Sequence, residues 1–148
     1  MSKQAITSKH APAALGPYSQ GVRAGWTVYL SGQIGLEPAT GNLVDGVEAQ
    51  THQVFRNLRA VAQAAGGELA DIVKLTLLLA DLDDFARVNA IMTEYFTAPF
   101  PARATYQVAA LPKAARIEIE GVLHLSPVAD AVSPQTGWRE AFDQTKGQ

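Results

Sequence analysis

The feature of this sequence that most constrains its fold is the regular exchange of strand-like and helix-like segments between Trp26 and Leu125. Strand-like runs alternate apolar and polar side chains, as Trp26, Val28 and Leu30 do, whereas helix-like runs repeat apolar residues about every turn. A strand–helix–strand connection within one sheet is right-handed, so both predicted helices belong on the same face of the sheet. We therefore predict an α+β fold, a mixed β-sheet with two helices packed on one face.

Sequence signals mark the ends of both predicted helices. Asp45 followed by Glu48 resembles a capping box at the start of the first helix, and Gly66 with Gly67 supplies its stop. Acidic residues at 81–84 open the second helix, and prolines end it. The predicted strands are short ones at 4–7 and 21–24 and longer ones at 26–34, 71–80, 104–109 and 116–125, with one helix on each side of the strand at 71–80.

The last two strand-like runs are predicted to form a hairpin, because a break around Pro112 separates them. If the turn centres there, Glu118 faces Tyr106, and Arg103 lies about 10 Å further along the strands. With this register, the side chains of Arg103 and Glu118 from a single chain are too far apart to contact one small ligand. This offset favours a pocket formed between two subunits.

Two carboxylates share one face of the last strand. Glu118 and Glu120 lie about 7 Å apart along it, because alternate side chains of a strand point to the same side. One interpretation is an edge strand that carries charge to stay soluble. The other is a ligand site in which Arg103 anchors an anionic ligand and one glutamate moves protons. The spacing alone leaves both interpretations open.

Several other candidate residues have ordinary structural interpretations when they are taken alone. Tyr18 ends a loop rich in proline and glycine, where it fits as an aromatic plug. Ser31 lies at the end of a strand, where a serine usually bonds backbone. Gly32 fits either a turn or the close approach of a ligand to the backbone. Asn89 borders the apolar stripe of the second helix, as a satisfied polar group near the core.

Length, charge and residue types narrow the classes of function. The chain has 148 residues and a net charge of −2, which fits one domain at 1–125 and an extension at 126–148 that is a tail or a short helix. It lacks a run of basic residues that could bind nucleic acid, and it contains no cysteine. Its three histidines lie far apart in sequence and do not match the spacing of metal ligands. Because no signal-peptide core or membrane-length apolar run is present, we expect a cytoplasmic protein without a membrane partner.

One face of the predicted sheet stays uncovered by helices. Lys74, Thr76 and the two glutamates mix with apolar residues on this open face. A half-polar surface of this kind suggests burial against further copies of the chain, so we predict a closed homo-oligomer.

Several short motifs resemble those of a known family. The motif PAR at 101–103, followed by a short strand, LP and RIEIE at 116–120, resembles the signature of the RidA (YjgF) family of reactive imine and enamine deaminases. The resemblance runs from about Ile6 to Leu125. It also includes GPYSQG at 16–21, LSGQI at 30–34 and DLDDFARVNAIMTEYF at 81–96.

The resemblance implies both an assembly and a reaction. The fold would be chorismate-mutase-like and assembled as a homotrimer, with a central sheet barrel and ligand sites between neighbouring subunits. The reaction would be the hydrolysis of enamine or imine acids, of the 2-aminoacrylate and 2-iminobutyrate type, to 2-keto acids and ammonia. The chain would then be a 2-iminobutanoate/2-iminopropanoate deaminase-type hydrolase acting on C–N bonds of a small carboxylate substrate.

The same resemblance implies a role for individual residues. Arg103 would anchor the substrate carboxylate, and Glu118, the first glutamate of IEIE, would be the catalytic acid/base. A guanidinium can hold a carboxylate by two parallel hydrogen bonds, and a glutamate can deprotonate a water that attacks the imine carbon. These residue types suit the reaction without a cofactor or a metal. The substrate-binding residues would be Arg103, Tyr18, Ser31, Gly32, Asn89 and Thr105.

Two departures from the family pattern keep other functions open. Thr105 stands where many members carry a cysteine, and the segment after Leu125 is longer than usual. One alternative is a 2-aminomuconate deaminase, which acts on a longer enamine diacid and needs a roomier pocket. The other is a trimer that binds small acids without turnover or acts like a chaperone.

Overall fold

A computed structural model describes residues 2–127, so the predicted extension at 126–148 lies outside the described residues from position 128 onward. The elements follow the predicted order, with bounds that differ by one or a few residues. They are β1 (Gln4–Ile6), β2 (Gly21–Ala24), β3 (Thr27–Ile34), α1 (Val47–Ala64), β4 (Ile72–Leu79), α2 (Phe85–Tyr95), β5 (Ala102–Gln107) and β6 (Ile117–His124).

The six strands form one mixed sheet in the order β1-β2-β3-β6-β4-β5. β4 and β5 pair in parallel across the connection that contains α2, and β6 lies antiparallel between β3 and β4. β3 and β4 therefore run in the same direction and are joined through α1. This arrangement confirms the predicted α+β class, a mixed sheet with two helices.

The predicted hairpin of the last two strands is wrong. β5 pairs with β4, and β6 lies on the other side of β4. The predicted facing of Glu118 and Tyr106 is wrong as well, since Leu78 of β4 lies between them and is level with both. The reason is that β4 is the most apolar strand. A place between β5 and β6 gives its backbone hydrogen-bond partners on both edges, whereas a β5–β6 hairpin would pair with only one of them.

The start of α1 also differs from the prediction. The residue that precedes the helix is Gly46, with φ 89°, so Asp45 lies one position too early to cap it. The predicted stop is confirmed, because α1 ends at Ala64 and Gly66 adopts φ 91° just beyond it. Within residues 2–127, neither helix has the length and the hydropathy needed to cross a bilayer.

The core lies between the helices and one face of the sheet. Phe55 of α1 stacks on Tyr95 and meets Phe96 edge to face, which joins the two helices. The other face of the sheet remains partly exposed, as predicted. Val73 is exposed although Leu75 and Leu77 at the next alternate positions are buried, because a register irregularity between Ile72 and Lys74 shifts it. The sheet residues that are almost fully buried include Val28, Leu30, Leu75, Leu77, Leu79, Ile117, Ile119 and Leu123.

Candidate functional site

A β-bulge in β3 lies beside the acidic strand. Leu30 pairs with Gly121 and Gln33 pairs with Ile119, so Ser31 and Gly32 together lie opposite Glu120. The extra residue reverses the alternation of side chains along β3 and turns Gln33 into the protein interior. Sequence alternation placed Ser31 near the end of a regular strand, whereas the structure places it in the bulge.

The bulge is tied to the loop that precedes β2. The Ser31 hydroxyl donates to the Ser19 carbonyl at 2.5 Å, and the Ser31 N–H donates to the Gln20 carbonyl at 3.0 Å. The buried Gln20 side chain in turn accepts from the Ser8 N–H at 2.6 Å and donates to the Pro12 carbonyl at 2.8 Å. The loop thereby lies in a defined position over the open face of the sheet.

Gly32 allows the Glu118 carboxylate to lie directly against the backbone of β3. A Cβ atom built on Gly32 would collide with Glu118 Oε1. Any larger residue at this position would therefore displace the carboxylate. The sequence left either a turn or the close approach of a ligand open at this glycine, and the structure shows close approach of the carboxylate.

A cavity of about 600 Å³ opens above this carboxylate. It brings together four of the predicted site residues, namely Tyr18, Ser31, Gly32 and Glu118. We call it the Glu118 cavity. Its other walls are formed by Pro12, Ala13, Leu15, Gln33, Ile34, Leu36, Pro112, Lys113 and Glu120.

The surroundings of Glu118 change its acidity. Partial burial raises the pKa of the Glu118 carboxyl above its ordinary value, and the nearby negative charge of Glu120 raises this pKa further. A carboxyl group with a raised pKa exchanges protons more readily near neutral pH, which suits it to general acid/base chemistry.

Arg103 lies at a second cavity, of about 340 Å³, between β5 and α2. Its guanidinium donates to Asn89 Oδ1 at 2.5 Å and to Met92 Sδ at 3.7 Å, and it lies 5.2 Å from the centre of the Phe85 ring. These contacts orient the guanidinium. We call this the Arg103 cavity, and its walls are Asn89, Met92, Thr93, Phe100, Pro101 and Arg103.

Thr105 lies on the same face of β5 as Arg103, two residues further along. Its hydroxyl oxygen is buried and has no hydrogen-bond partner among residues 2–127. Because buried polar groups are nearly always paired, this hydroxyl is available to a ligand or to another chain.

The two cavities lie on opposite faces of the sheet. Glu118 alternates with the buried Ile117 and Ile119, so its side chain points away from the helices. Arg103 pairs with Leu75, whose side chain points into the core, and contacts α2. One chain therefore brings Arg103 together with Asn89, and Glu118 together with Tyr18, Ser31 and Gly32, but keeps these two groups apart.

The sequence interpretation missed several residues of both cavities. Phe85, the first residue of α2, is partly exposed and lies against Arg103. Lys113 lines the Glu118 cavity and has φ 55°, as has Ala114, which is a strained conformation for residues other than glycine. Pro112 predicted a break between the two strands, but it did not predict the backbone conformation of the turn. Over the described range, the acidic and histidine side chains form no group of three that could hold a metal ion.

Comparison with known proteins gives consistent matches. The family model described as Endoribonuclease L-PSP matches residues 8–125. The chain is 48% identical over 130 residues to 2-iminobutanoate/2-iminopropanoate deaminase of Homo sapiens, which covers 87% of this chain and 95% of that protein. It is 51% identical over 126 residues to Reactive Intermediate Deaminase A, chloroplastic, of Arabidopsis thaliana, which covers 84% of this chain and 67% of that protein.

Solved structures match equally well. The crystal structure of RidA from the Antarctic bacterium Psychrobacter sp. PAMC 21119 superposes with a TM-score of 0.81 at 50% identity, covering 82% of this chain and 99% of that one. The structure of E. coli TdcF with bound serine superposes with a TM-score of 0.80 at 40% identity, covering 83% of this chain and 99% of that one.

Proposed function

This chain belongs to the RidA (YjgF) family, and from that premise we propose that it hydrolyses reactive enamine and imine acids, of the 2-aminoacrylate and 2-iminobutanoate type, to 2-keto acids and ammonia. Relatives that are about half identical over most of their length carry the name of this C–N bond hydrolase. The serine bound to E. coli TdcF supports a small amino-acid-like ligand here as well.

Arg103 holds the substrate carboxylate in this proposal. Its guanidinium can offer two parallel N–H donors to a carboxylate, which fixes the position of the α-carbon. The contacts with Asn89 and Phe85 support this role, because they hold the planar group at the wall of a cavity. The Thr105 hydroxyl supplies one further hydrogen bond to the substrate, in place of the cysteine that many relatives carry.

Glu118 acts as the acid/base. In its ionised form it takes a proton from a water molecule that attacks the imine carbon, and it then returns the proton to the departing nitrogen. Tyr18, Ser31 and Gly32 line the same cavity and complete the binding surface. The raised pKa of Glu118 supports this assignment, because burial and the charge of Glu120 make its carboxylate a stronger proton acceptor than an exposed glutamate.

The observation that carries the proposed site is the separation of Arg103 and Glu118 on opposite faces of one sheet. A single chain cannot direct both groups at one small acid. We therefore propose a homotrimer with a central sheet barrel, in which Arg103 of one subunit faces Glu118 of the next. The partly exposed face of the sheet, where Tyr29 is 54% exposed, supports such burial between subunits.

The proposal also covers the partners and the location of the protein. A net charge of −2 supports small-molecule partners over nucleic acid, even though the family model is described as an endoribonuclease. We propose a cytoplasmic protein that acts on carboxylate substrates without a membrane partner or a cofactor.

The test is the release of ammonia and keto acid from 2-aminoacrylate that a pyridoxal-phosphate-dependent lyase generates in the same vessel. The wild type should accelerate this release above the spontaneous rate. Arg103→Ala should lower kcat/KM by about 30–150-fold, since a charge-assisted hydrogen bond contributes roughly 2–3 kcal/mol.

Matched variants make this test specific. Arg103→Lys keeps the charge but loses the paired donors, and should recover only part of the rate. Arg87→Ala removes an exposed arginine of the same helix that holds Asn89, and should leave the rate unchanged. A wild-type rate equal to the spontaneous one would instead favour a trimer that binds small acids without turnover.

A longer substrate, an enamine diacid such as 2-aminomuconate, is a second candidate. The Glu118 cavity of one chain measures about 600 Å³, and the neighbouring subunit of the proposed trimer narrows it, so the substrate must fit the room that remains beyond the carboxylate clamp. Assays of short and long substrates side by side decide between them through the ratio of their kcat/KM values.

A further inference from the structure

Arg116, the residue just before β6, is held by three other elements at once. Its backbone N–H donates to Gln50 Oε1 of α1 at 2.7 Å, and its carbonyl accepts from the Ala80 N–H at 3.0 Å. Its guanidinium pairs at 2.8 Å with the carboxylate of Asp84, the residue that precedes α2. The start of β6 is thus connected to both helices and to the end of β4.

The two side chains that hold Arg116 from the helices are buried. Gln50 is 3% exposed and Asp84 is 6% exposed. Apolar residues of similar size often stabilise a protein as well as buried charged or polar groups do, so stability alone is a weak reason for Gln50 and Asp84 at these positions. Directional hydrogen bonds, in contrast, specify where the partner backbone lies.

The same helix also fixes the strand on the other side of Glu118. Asn57 of α1 donates to the carbonyl of Ile34, the residue that pairs with Glu118. A Cβ atom on the following residue, Gly35, would lie 2.7 Å from Gln50 Cα, so α1 and the end of β3 are in direct backbone contact. Helix α1 thereby fixes the spacing of β3 and β6 where the carboxylate lies.

We propose that Gln50 and Asp84 are positioning residues for Glu118, acting through Arg116. This inference rests on the proposed function for the role of Glu118 and adds residues that touch neither substrate nor reacting atoms. Arg116 precedes Glu118 by about 7 Å of strand, so a shift at Arg116 moves the carboxylate relative to Gly32. The shift also admits more water to the carboxylate.

Added water should return Glu118 toward the behaviour of a surface glutamate. The titratable groups that share its cavity are Glu120, Lys113 and Tyr18, and none of them is substituted by changes at Gln50, Asp84 or Arg116. Asp84→Asn also removes a negative charge and leaves the Arg116 guanidinium unpaired, which lowers the pKa of Glu118 directly. Arg116→Lys keeps both charges, so a change in the titration of Glu118 in that variant reports the position and hydration of this carboxyl group.

The experiment compares wild type with Asp84→Asn, which keeps the shape of the side chain and removes its charge. Carboxyl titration by NMR of ¹³C-glutamate-labelled protein, with Glu118→Gln to assign the signal, should show a lower pKa for Glu118 in the variant. In the deaminase assay, kcat should fall about 10-fold with KM changed less than about twofold, since a misplaced acid/base affects the chemical step. The acid limb of the kcat/KM profile should move to lower pH.

Two further variants decide the outcome. Arg116→Lys keeps the ion pair but not the planar fork, and should give smaller changes in the same direction even if Asp84→Asn does not fold. Tyr95→Phe removes the 2.8 Å hydrogen bond between Tyr95 and His52, which also joins α1 to α2, and should leave kcat and the titration of Glu118 unchanged.

The inference is overturned if Arg116→Lys titrates and turns over like wild type, or if Tyr95→Phe loses as much activity as Asp84→Asn does. The NMR titration does not need turnover. A wild type without deaminase activity would therefore defeat the proposed function, while the titration still tests the positioning of Glu118.

Discussion

At the residue scale, the side chains that matter most are changed by their neighbours. Glu118 is a common residue, but partial burial and Glu120 raise the pKa of its carboxyl group. Arg103 is oriented by Asn89 and by the Phe85 ring. The Thr105 hydroxyl is buried without a partner on the described part of the chain. A raised carboxyl pKa, an oriented guanidinium and a buried hydroxyl without a partner are each better explained by ligand chemistry than by a contribution to the stability of the fold.

Glu118 should reduce stability at neutral pH. A carboxyl whose pKa is raised in the folded state stabilises the fold only while it is protonated, and this contribution is lost as pH rises through the folded-state pKa. Glu118→Gln should therefore melt about 1–3 °C higher than wild type at pH 7, and the difference should vanish near pH 4 and below. Thermal unfolding at both pH values checks this, and a lower melting temperature of the variant at pH 7 would contradict it.

Thr105 should show opposite effects on stability and on binding. Thr105→Val keeps the shape and removes a hydroxyl that has no partner within residues 2–127, so unfolding free energy should stay equal or rise by about 0.5–1 kcal/mol. If the hydroxyl bonds substrate, KM should rise about 3–10-fold, the equivalent of one hydrogen bond of roughly 1 kcal/mol. Thr105→Ser is the matched control and should retain the wild-type KM.

At the scale of elements, the bulge in β3 and its contact with α1 have different roles. Gly32 lies against the Glu118 carboxylate, whereas Gly35 lies against the backbone of Gln50. A side chain on Gly32 meets the end of a flexible glutamate, which can move aside. A side chain on Gly35 meets a helix backbone, which cannot move without disturbing the core.

Alanine at these two glycines should therefore separate activity from stability. Gly32→Ala should lower kcat by at least about 10-fold while the urea midpoint changes little, because only the carboxylate is displaced. Gly35→Ala should reduce the free energy of unfolding by about 1–3 kcal/mol through overpacking. Urea titration and steady-state kinetics of both variants check this, and equal destabilisation by the two would contradict it.

At the scale of the whole molecule, the proposed site requires more than one chain. Arg103 and Glu118 project from opposite faces of one sheet, so each chain supplies half of two different sites in the proposed trimer. Such a site is lost when either half is missing. It is restored when two defective chains supply complementary halves.

Mixed oligomers should recover activity from two inactive chains. Arg103→Ala and Glu118→Ala should each be nearly inactive alone, and random mixing in a cyclic assembly should restore about one quarter of the wild-type sites. Coexpression followed by the ammonia assay measures the recovery, with light scattering to give the number of subunits. Recovery close to zero in confirmed mixed oligomers would argue for sites built within one chain.

Much of the fold could be predicted because it depends on local periodicity. The alternation from Trp26 to Ile34 and the apolar run at 71–80 identified β3 and β4, and Gly66 marked the end of α1. The order of elements and the choice of Arg103 and Glu118 as chemical groups followed from residue types and from short motifs near the end of the chain.

Only the tertiary structure decided which strands are neighbours and which side chains share a cavity. β4 took the place between β5 and β6, and the bulge at Ser31 and Gly32 reversed the side-chain alternation. Strand pairing depends on contacts between residues distant in sequence, so a local pattern that fits a hairpin fits a crossed arrangement equally well. The sequence by itself thus determined the kinds of elements and supplied the candidate reactive groups, and the packing of an apolar strand at the centre of the sheet decided that Arg103 and Glu118 face opposite ways.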